Sequence, residues 1–186
     1  DLVFRARLGG SSVNILTNGT LLTDDDIAIF NDLGVAAIQI PLLSDDAAIH
    51  DAITQRPGSW AKAWANARRV VAVREKWLTP VLIISRMNVE SIESTMAMYG
   101  LLGVKRVMVN RFNIGGLGIR YAEDLVLSND MLRDAFRRVD KQAEKLGIKV
   151  YSGVCTPMCV LDPREYPNII FSHCTTDLVS RPLTIS

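Results

Sequence analysis

The chain is 186 residues long, which at roughly 150 residues per domain allows one domain and little more. Apolar residues make up 48% and charged residues 22%, ordinary globular usage that excludes a disordered, collagenous or acidic-tail polypeptide. Lys plus Arg is 21 and Asp plus Glu is 20, and the resulting +1 is spread along the chain, so no global field draws it to nucleic acid or to a membrane surface. No apolar run approaches the ~20 residues that cross a bilayer.

Asp1-Leu-Val-Phe-Arg-Ala-Arg has neither an initiator Met nor the charged-then-apolar layout of a leader, and reads as the middle of a longer gene product. Residues 13–17 are β-branched and aliphatic and end at Asn18-Gly19, a dipeptide suited to positive φ, which predicts a strand closed by a sharp turn. Thr23 and the three aspartates after it supply an N-cap and acidic first turn for a helix over 27–33, stopped at Gly34. Residues 35–40 give a second strand. After a polar loop, Ser59 opens a helical pattern over 60–77, with Ala63, Ala67, Val70, Val71 and Arg74 at helical spacing. A third strand over 81–85 follows directly. Asn88 or Ser91 then opens a helix to Leu102, Gly103 stops it, and 104–110 form a fourth strand. Ser128 and Asn129 lead into a helix over 131–146, Gly147 ends it, and 148–151 read as a fifth strand before an irregular tail with Pro157, Pro163, Pro167 and Pro182.

A helix stop before three successive strands is the signature of parallel βα units, so the class is α/β. Loops after strands two and four are long and polar, whereas those entering strands are one or two residues, which places function at the strand C-terminal ends. Periodicity leaves an open sheet and part of a barrel both open.

At those ends, the Asn18 amide and the backbone around Gly19 could hold the polar groups of a cofactor; a plain turn is the other reading. His50 and Asp51 invite acid–base work, but adjacent residues on a helical turn point apart, so a local cap or loop hydrogen bond is expected. Arg86, at the end of the third strand, could fork onto a carboxylate or form a structural ion pair. Asn113, Gly115 and Gly116 sit in a loop whose glycines let backbone approach adenine or ribose. Gly116-x-Gly118 is not a dinucleotide fingerprint, because no third glycine opens a helix. Three cysteines, Cys155, Cys159 and Cys174, the last directly after His173, are too few for a disulfide framework and fit thiols kept reduced in a cytosol. Proline turns between soft ligands suit zinc or iron–sulfur; buried apolar thiols are the alternative.

In succession these loops resemble one family, the radical SAM enzymes, in the branch with a C-terminal SPASM extension. The resemblance is carried by Thr17-Asn-Gly-Thr-Leu-Leu22, Ile49-His-Asp-Ala-Ile-Thr54 with Pro57-Gly-Ser-Trp60, Arg86-Met-Asn-Val89, Leu102-Gly-Val104 and Gly115-Gly-x-Gly118. The tail, Phe171-Ser-His-Cys174 and Arg181-Pro-Leu-Thr-Ile185, resembles the opening of a SPASM segment. It implies a partial (β/α)6 barrel of which 1–151 hold strands three to six, with 152–186 opening the Cys-bearing extension. It further implies S-adenosylmethionine (AdoMet) held by a [4Fe–4S] cluster on a CxxxCxxC loop outside this chain, and reductive cleavage to a 5′-deoxyadenosyl radical that abstracts hydrogen from a peptide or protein. A reducing partner such as flavodoxin or ferredoxin, and a cytoplasmic setting, follow from the same resemblance. By position, cofactor contacts fall at Asn18, Gly19, Arg86, Asn88, Asn113, Gly115 and Gly116. Cys174 is the first auxiliary-cluster ligand, with Cys155 and Cys159 second; no catalytic side chain is singled out. The sequence departs from the family in having no CxxxCxxC and in carrying Pro41-Leu-Leu-Ser44 where Ser-Leu-Asp-Gly is usual, losing a hydroxyl and a carboxylate. Two other readings stand beside it: a catalytically inactive radical-SAM-like binding module, and a cluster-free α/β barrel lyase or dehydrogenase.

Overall fold

Thr23 and Asp26 form a reciprocal cap: the Thr23 hydroxyl accepts the Asp26 N–H at 3.1 Å, and the Asp26 carboxylate accepts the Thr23 N–H at 3.0 Å. The helix therefore starts at Asp24, before its apolar periodicity does. Such local signals, repeated along the chain, build the unit. The computed structural model describes residues 2–154 and 156–172. Its six strands are β1 (Asn14–Leu16), β2 (Ala37–Pro41), β3 (Leu78–Ile84), β4 (Arg106–Arg111), β5 (Lys149–Ser152) and β6 (Ile169–Phe171). They lie in chain order in one sheet, each parallel to the next. Helix α1 (Leu2–Leu8) precedes the sheet, and α2 (Asp24–Asp32) joins β1 to β2. Helices α3 (Ala47–Thr54) and α4 (Ser59–Val73) join β2 to β3, α5 (Ile92–Leu101) joins β3 to β4, and α6 (Ala122–Leu125) and α7 (Asn129–Leu146) join β4 to β5. The α/β class and the partial-barrel form expected from the sequence are both present. Among the described residues β1 and β6 do not pair with each other, so the sheet is open.

Helices cover one face. Ile38, Ile40, Leu82, Ile84, Val107, Val109 and Val150 are buried there with Ala67 and Val70 of α4, Met96 and Tyr99 of α5, and Phe136 and Val139 of α7. Each such aliphatic side chain contributes about 1.5–3 kcal/mol on burial. The register puts Leu16 beside Gln39, and Val81, Met108, Tyr151 and Ile170 in one row, on the opposite face. Leu16 and Ile170, 70% and 53% exposed, mark that face as uncovered at both edges.

Among the boundaries that differ from the sequence reading are the end of α4 and the start of β3. Helix α4 stops at Val73, and β3 starts at Leu78, because Trp77 is fully buried with its indole N–H donating to the Val35 carbonyl at 2.8 Å. That tertiary hydrogen bond overrides the helical pattern through 77. The tail is less irregular than its prolines predict: Ile169–Phe171 adds a sixth strand, and Phe171 stacks on Phe136 of α7 with ring centroids 5.8 Å apart. Helices α1, α3 and α6 are also additions, all of eight residues or fewer and so too short for a clear period.

Candidate functional site

The C-terminal ends of β1 to β4 are bound together by side chains that leave the strands and loops. After β1, Gly19 adopts φ +73, and a Cβ there would meet Ile40 Cγ2 at 2.9 Å, so the turn needs glycine on both counts. The Gly19 carbonyl accepts from Asn66 Nδ2 at 2.6 Å, and Asn66 in turn accepts from Arg69 at 2.6 Å. Asn66 was missed in the sequence, although its signal was there: a polar residue between Ala63 and Ala67 on the buried stripe of α4. Asn18 is exposed, and its carbonyl oxygen accepts the Thr20 N–H at 3.0 Å and hydroxyl at 2.9 Å. Its Nδ2 donors have no partner among the described residues, which leaves them available at the strand end.

The long loop after β2 is built around His50 and Asp51. His50 is 2% exposed, and its Nδ1 accepts the Leu43 N–H at 3.1 Å. Burial holds its pKa below the ordinary imidazole value, against the opposing pull of Asp51. Asp51 caps α4 from outside the helix, accepting from Trp60 N–H at 2.8 Å, Gly58 N–H at 2.5 Å and the Ser59 hydroxyl at 2.9 Å. Those donors, the Trp60 N–H foremost, hold its carboxyl below the usual range. Both residues are therefore engaged in shaping the loop. Leu42 and Leu43 are buried, and the Tyr99 hydroxyl donates to the Leu42 carbonyl.

Asn88 is the clamp between β2 and β3. Its Nδ2 donates to the Leu43 carbonyl at 2.7 Å and the Ile83 carbonyl at 2.9 Å, and its Oδ1 accepts the Ser85 N–H at 2.8 Å. With the Ser85 hydroxyl at 3.3 Å, the whole amide is used internally. Arg86 is exposed; its backbone N–H donates to the Leu125 carbonyl at 3.1 Å and its Nε to the Val126 carbonyl at 2.7 Å. Its terminal nitrogens have no partner among the described residues. After β4, Asn113 accepts from Arg111 at 3.3 Å, and Gly115 and Gly116 are exposed with nothing within 4 Å of an added Cβ. The open space over these glycines suits close approach by a flat ligand.

These ends enclose a cleft of about 610 Å³ with walls from Leu43, Ile53, Ile83, Ser85, Phe112 and Tyr121. A second cavity of about 450 Å³, lined by Arg86, Met87 and Asp124, shares Ile53, Gln55, Tyr121 and Leu125 with it. Of the expected cofactor residues, Arg86 lies on this double cleft, Asn88 positions its wall, and Asn18 with Gly19 stand at the end of the neighbouring strand β1, outside its lining. Residues sequence reasoning did not single out here include Ser85, Phe112 and Tyr121. Asn110 was missed as well: its Oδ1 accepts the N–H groups of Gly153 at 2.8 Å and Val154 at 3.1 Å, tying the start of the Cys-bearing segment to β4. Cys159 is exposed, whereas Cys155 and Cys174 fall outside the described residues. Among the described residues no three His, Cys, Asp or Glu side chains converge on a common metal position, and no helix is long and apolar enough to cross a membrane.

No family model matches the chain. The PqqA peptide cyclase of Gluconobacter oxydans (strain 621H) is 28% identical over 150 residues, covering 81% of this chain and 42% of that protein. The chain thus spans about two fifths of the length of that relative. Among solved structures, anSMEcpe with bound AdoMet superposes with a TM-score of 0.58 at 8% identity, over 73% of this chain and 37% of that one. The same protein with AdoMet and the Cp18Cys peptide gives 0.59 at 8% identity, over 75% and 40%. The fold is shared with these structures, and the resemblance to radical SAM enzymes read from the sequence is borne out.

Proposed function

We propose that this chain is the AdoMet- and substrate-binding core of a radical SAM enzyme that modifies a peptide or protein. The observation that carries the reading is the relation to a peptide cyclase through four-fifths of the chain. Agreement of the fold with an enzyme solved with AdoMet and with a peptide supports it. A bound [4Fe–4S] cluster would supply the electron for reductive cleavage of AdoMet, while the residues of this chain would hold and orient AdoMet and the substrate. The ligands for that cluster are not among the described residues.

What this chain contributes is binding and orientation. Free Nδ2 donors on Asn18 and the unpartnered terminal nitrogens of Arg86 suit the carboxylate and ring acceptors of AdoMet, and the open backbone at Asn113, Gly115 and Gly116 suits its adenine and ribose. Gly19 and Asn88 act at one remove: their hydrogen bonds and packing are internal, and they hold the strand ends in register. The side chains of Leu43, Ile83 and Phe112 line the cleft with apolar surface suited to the hydrophobic parts of a substrate. Residues 152–186 are assigned to the opening of an auxiliary-cluster segment, with Cys174 as its first ligand and Cys155 and Cys159 as further ones. A flavodoxin- or ferredoxin-like donor in the cytoplasm completes the reading.

The test is iron, acid-labile sulfide and reductant-dependent 5′-deoxyadenosine on the intact gene product prepared without oxygen. Iron together with deoxyadenosine is expected. Neither appearing after cluster reconstitution would replace the radical enzyme by a binding module on the same fold.

A further inference from the structure

The segment between β4 and α7 forms one wall of the larger cleft, and two independent contacts fix it. The Phe112 N–H donates to the Ile84 carbonyl at 2.9 Å, which carries Phe112 off the end of β4. Its ring lies against Gly118, where a Cβ would stand 2.7 Å from Phe112 Cζ, so only glycine lets the 3₁₀ turn Gly116–Tyr121 sit this close. Farther on, the two hydrogen bonds from Arg86 to the Leu125 and Val126 carbonyls staple the end of the segment to β3. The turn held in this way lines the cleft with Arg120 and Tyr121.

Among the described residues, Arg120 is the one charged side chain lining that cleft. Among the described residues its guanidinium makes neither a hydrogen bond nor an ion pair. Asp124 lies four residues on, a spacing at which pairs commonly form, yet it faces the adjoining cavity with Arg86 and no ion pair joins it to Arg120. The walls around Arg120 are apolar or neutral, so no protein carboxylate there competes for it. Tyr121, 52% exposed, is shared by the two cavities, and Met87, 38% exposed, lines the adjoining one. A guanidinium presents a planar fork of donors matched to a carboxylate, and apolar surroundings strengthen that pairing.

We propose that Arg120 is the specificity-determining cation of this cleft and binds a carboxylate side chain of a peptide whose flanking apolar residues fill the walls. The proposal rests on the peptide-modifying reading above and names the substrate class. The same chemistry is available from the methionine carboxylate of AdoMet, and the experiment separates the two. Fluorescein-labelled Leu-Phe-Glu-Leu-Phe-Ala and its Gln counterpart are titrated by anisotropy into the intact, reconstituted protein, with AdoMet affinity measured in parallel. The Glu peptide is expected to bind about tenfold tighter, the cost of one charge-assisted hydrogen-bond pair. R120Q removes the preference, R120K keeps part of it, and the unfolding midpoint stays unchanged because the side chain is exposed. Equal affinity for the two peptides, no binding of either at millimolar concentration, or a preference that survives R120Q overturns the proposal. So does a loss of AdoMet affinity in R120Q with peptide preference unaltered, which assigns the cation to the cofactor. Deoxyadenosine formation in the same preparations keeps the two readings apart: its absence beside an Arg120-dependent peptide preference sinks the radical chemistry and leaves the carboxylate site standing.

Discussion

At the N-terminal ends of the strands, Lys76, Lys105 and Lys149 each follow a helix by three or four residues, after Val73, Leu101 and Leu146. With Arg106 they line a cavity of about 540 Å³. At the C-terminal ends charge of both signs is mixed with dense hydrogen bonding: Asn66, Asn88 and Asn110 tie loop backbone across strands, Asp51 ties the loop after β2, and among the described residues Arg120 has no partner in its largely apolar cleft. Lys105 pairs with Glu75 at 3.6 Å, and the lysines face solvent just past the negative ends of the helix dipoles, so the fold itself accounts for them. Arg120 lies in the last turn of the short 3₁₀ helix Gly116–Tyr121, which runs straight on into α6, and among the described residues no carboxylate pairs with it. Charge that local structure explains says little about ligands; charge that it leaves over is informative.

The comparison is broken most directly at Asn88. Truncation to alanine leaves the Leu43 and Ile83 carbonyls and the Ser85 N–H without partners in a site 2% exposed. Asn88→Ala is expected to lower the unfolding free energy in urea by about 3 kcal/mol, since each buried polar group left unpaired costs about 1–3 kcal/mol. A loss below about 1 kcal/mol would mean that water reaches these carbonyls and that the clamp is not the organiser of the cleft.

Gly118→Ala comes next. The added methyl must displace Phe112 or the turn, for about 1–2 kcal/mol of stability, the usual cost of overpacking. Because the displaced turn carries Arg120, the preference for a Glu over a Gln peptide should fall with it. Stability lost without any change in that preference would show that the turn does not set the position of Arg120.

His50 sharpens the contrast through pH. Its pKa is depressed in the folded protein, so the unfolded chain binds the proton first as pH falls. Stability from this group is full above the unfolded value of about 6.5 and is lost progressively below it. Protonation of Nδ1 would also set an N–H against the Leu43 N–H it now accepts. Urea midpoints measured between pH 7.5 and 5.5 should therefore fall more in the parent than in His50→Asn, whose amide can accept that N–H without titrating. Parallel curves would remove His50 from the account.

Much of this was legible in advance where the cause is local. Thr23, Ser128 and Gly147 marked helix ends because capping depends on a few neighbouring residues. Asn18-Gly19 announced its turn for the same reason. The loop 43–59 announced that His50 and Asp51 would form local hydrogen bonds, and their partners, Leu43 and Trp60, lie only seven and nine residues away along the chain. Trp77 ended α4 through a contact 42 residues away, which no window of periodicity contains. The cleft was the least readable part. Its walls come from three separate stretches of chain, at the ends of β2, β3 and β4, and nothing in the residues around Arg120 marks it in the sequence.

The smallest expected effect is at the other end of the sheet. Lys149 and Arg106 are register partners on adjacent strands, a like-charge pair that costs a few tenths of a kcal/mol, while Lys149 also gains a few tenths from the end of α7. Lys149→Gln removes both, so the unfolding free energy should move by less than about 0.5 kcal/mol, with little dependence on salt. Inorganic phosphate should leave the midpoint of parent and variant alike. A phosphate-dependent rise in the parent that disappears in Lys149→Gln would place an anion site among these lysines. The N-terminal end would then hold charge that the helix dipoles do not explain, and the distinction that makes Arg120 informative would no longer follow from which end of the strands a cation occupies.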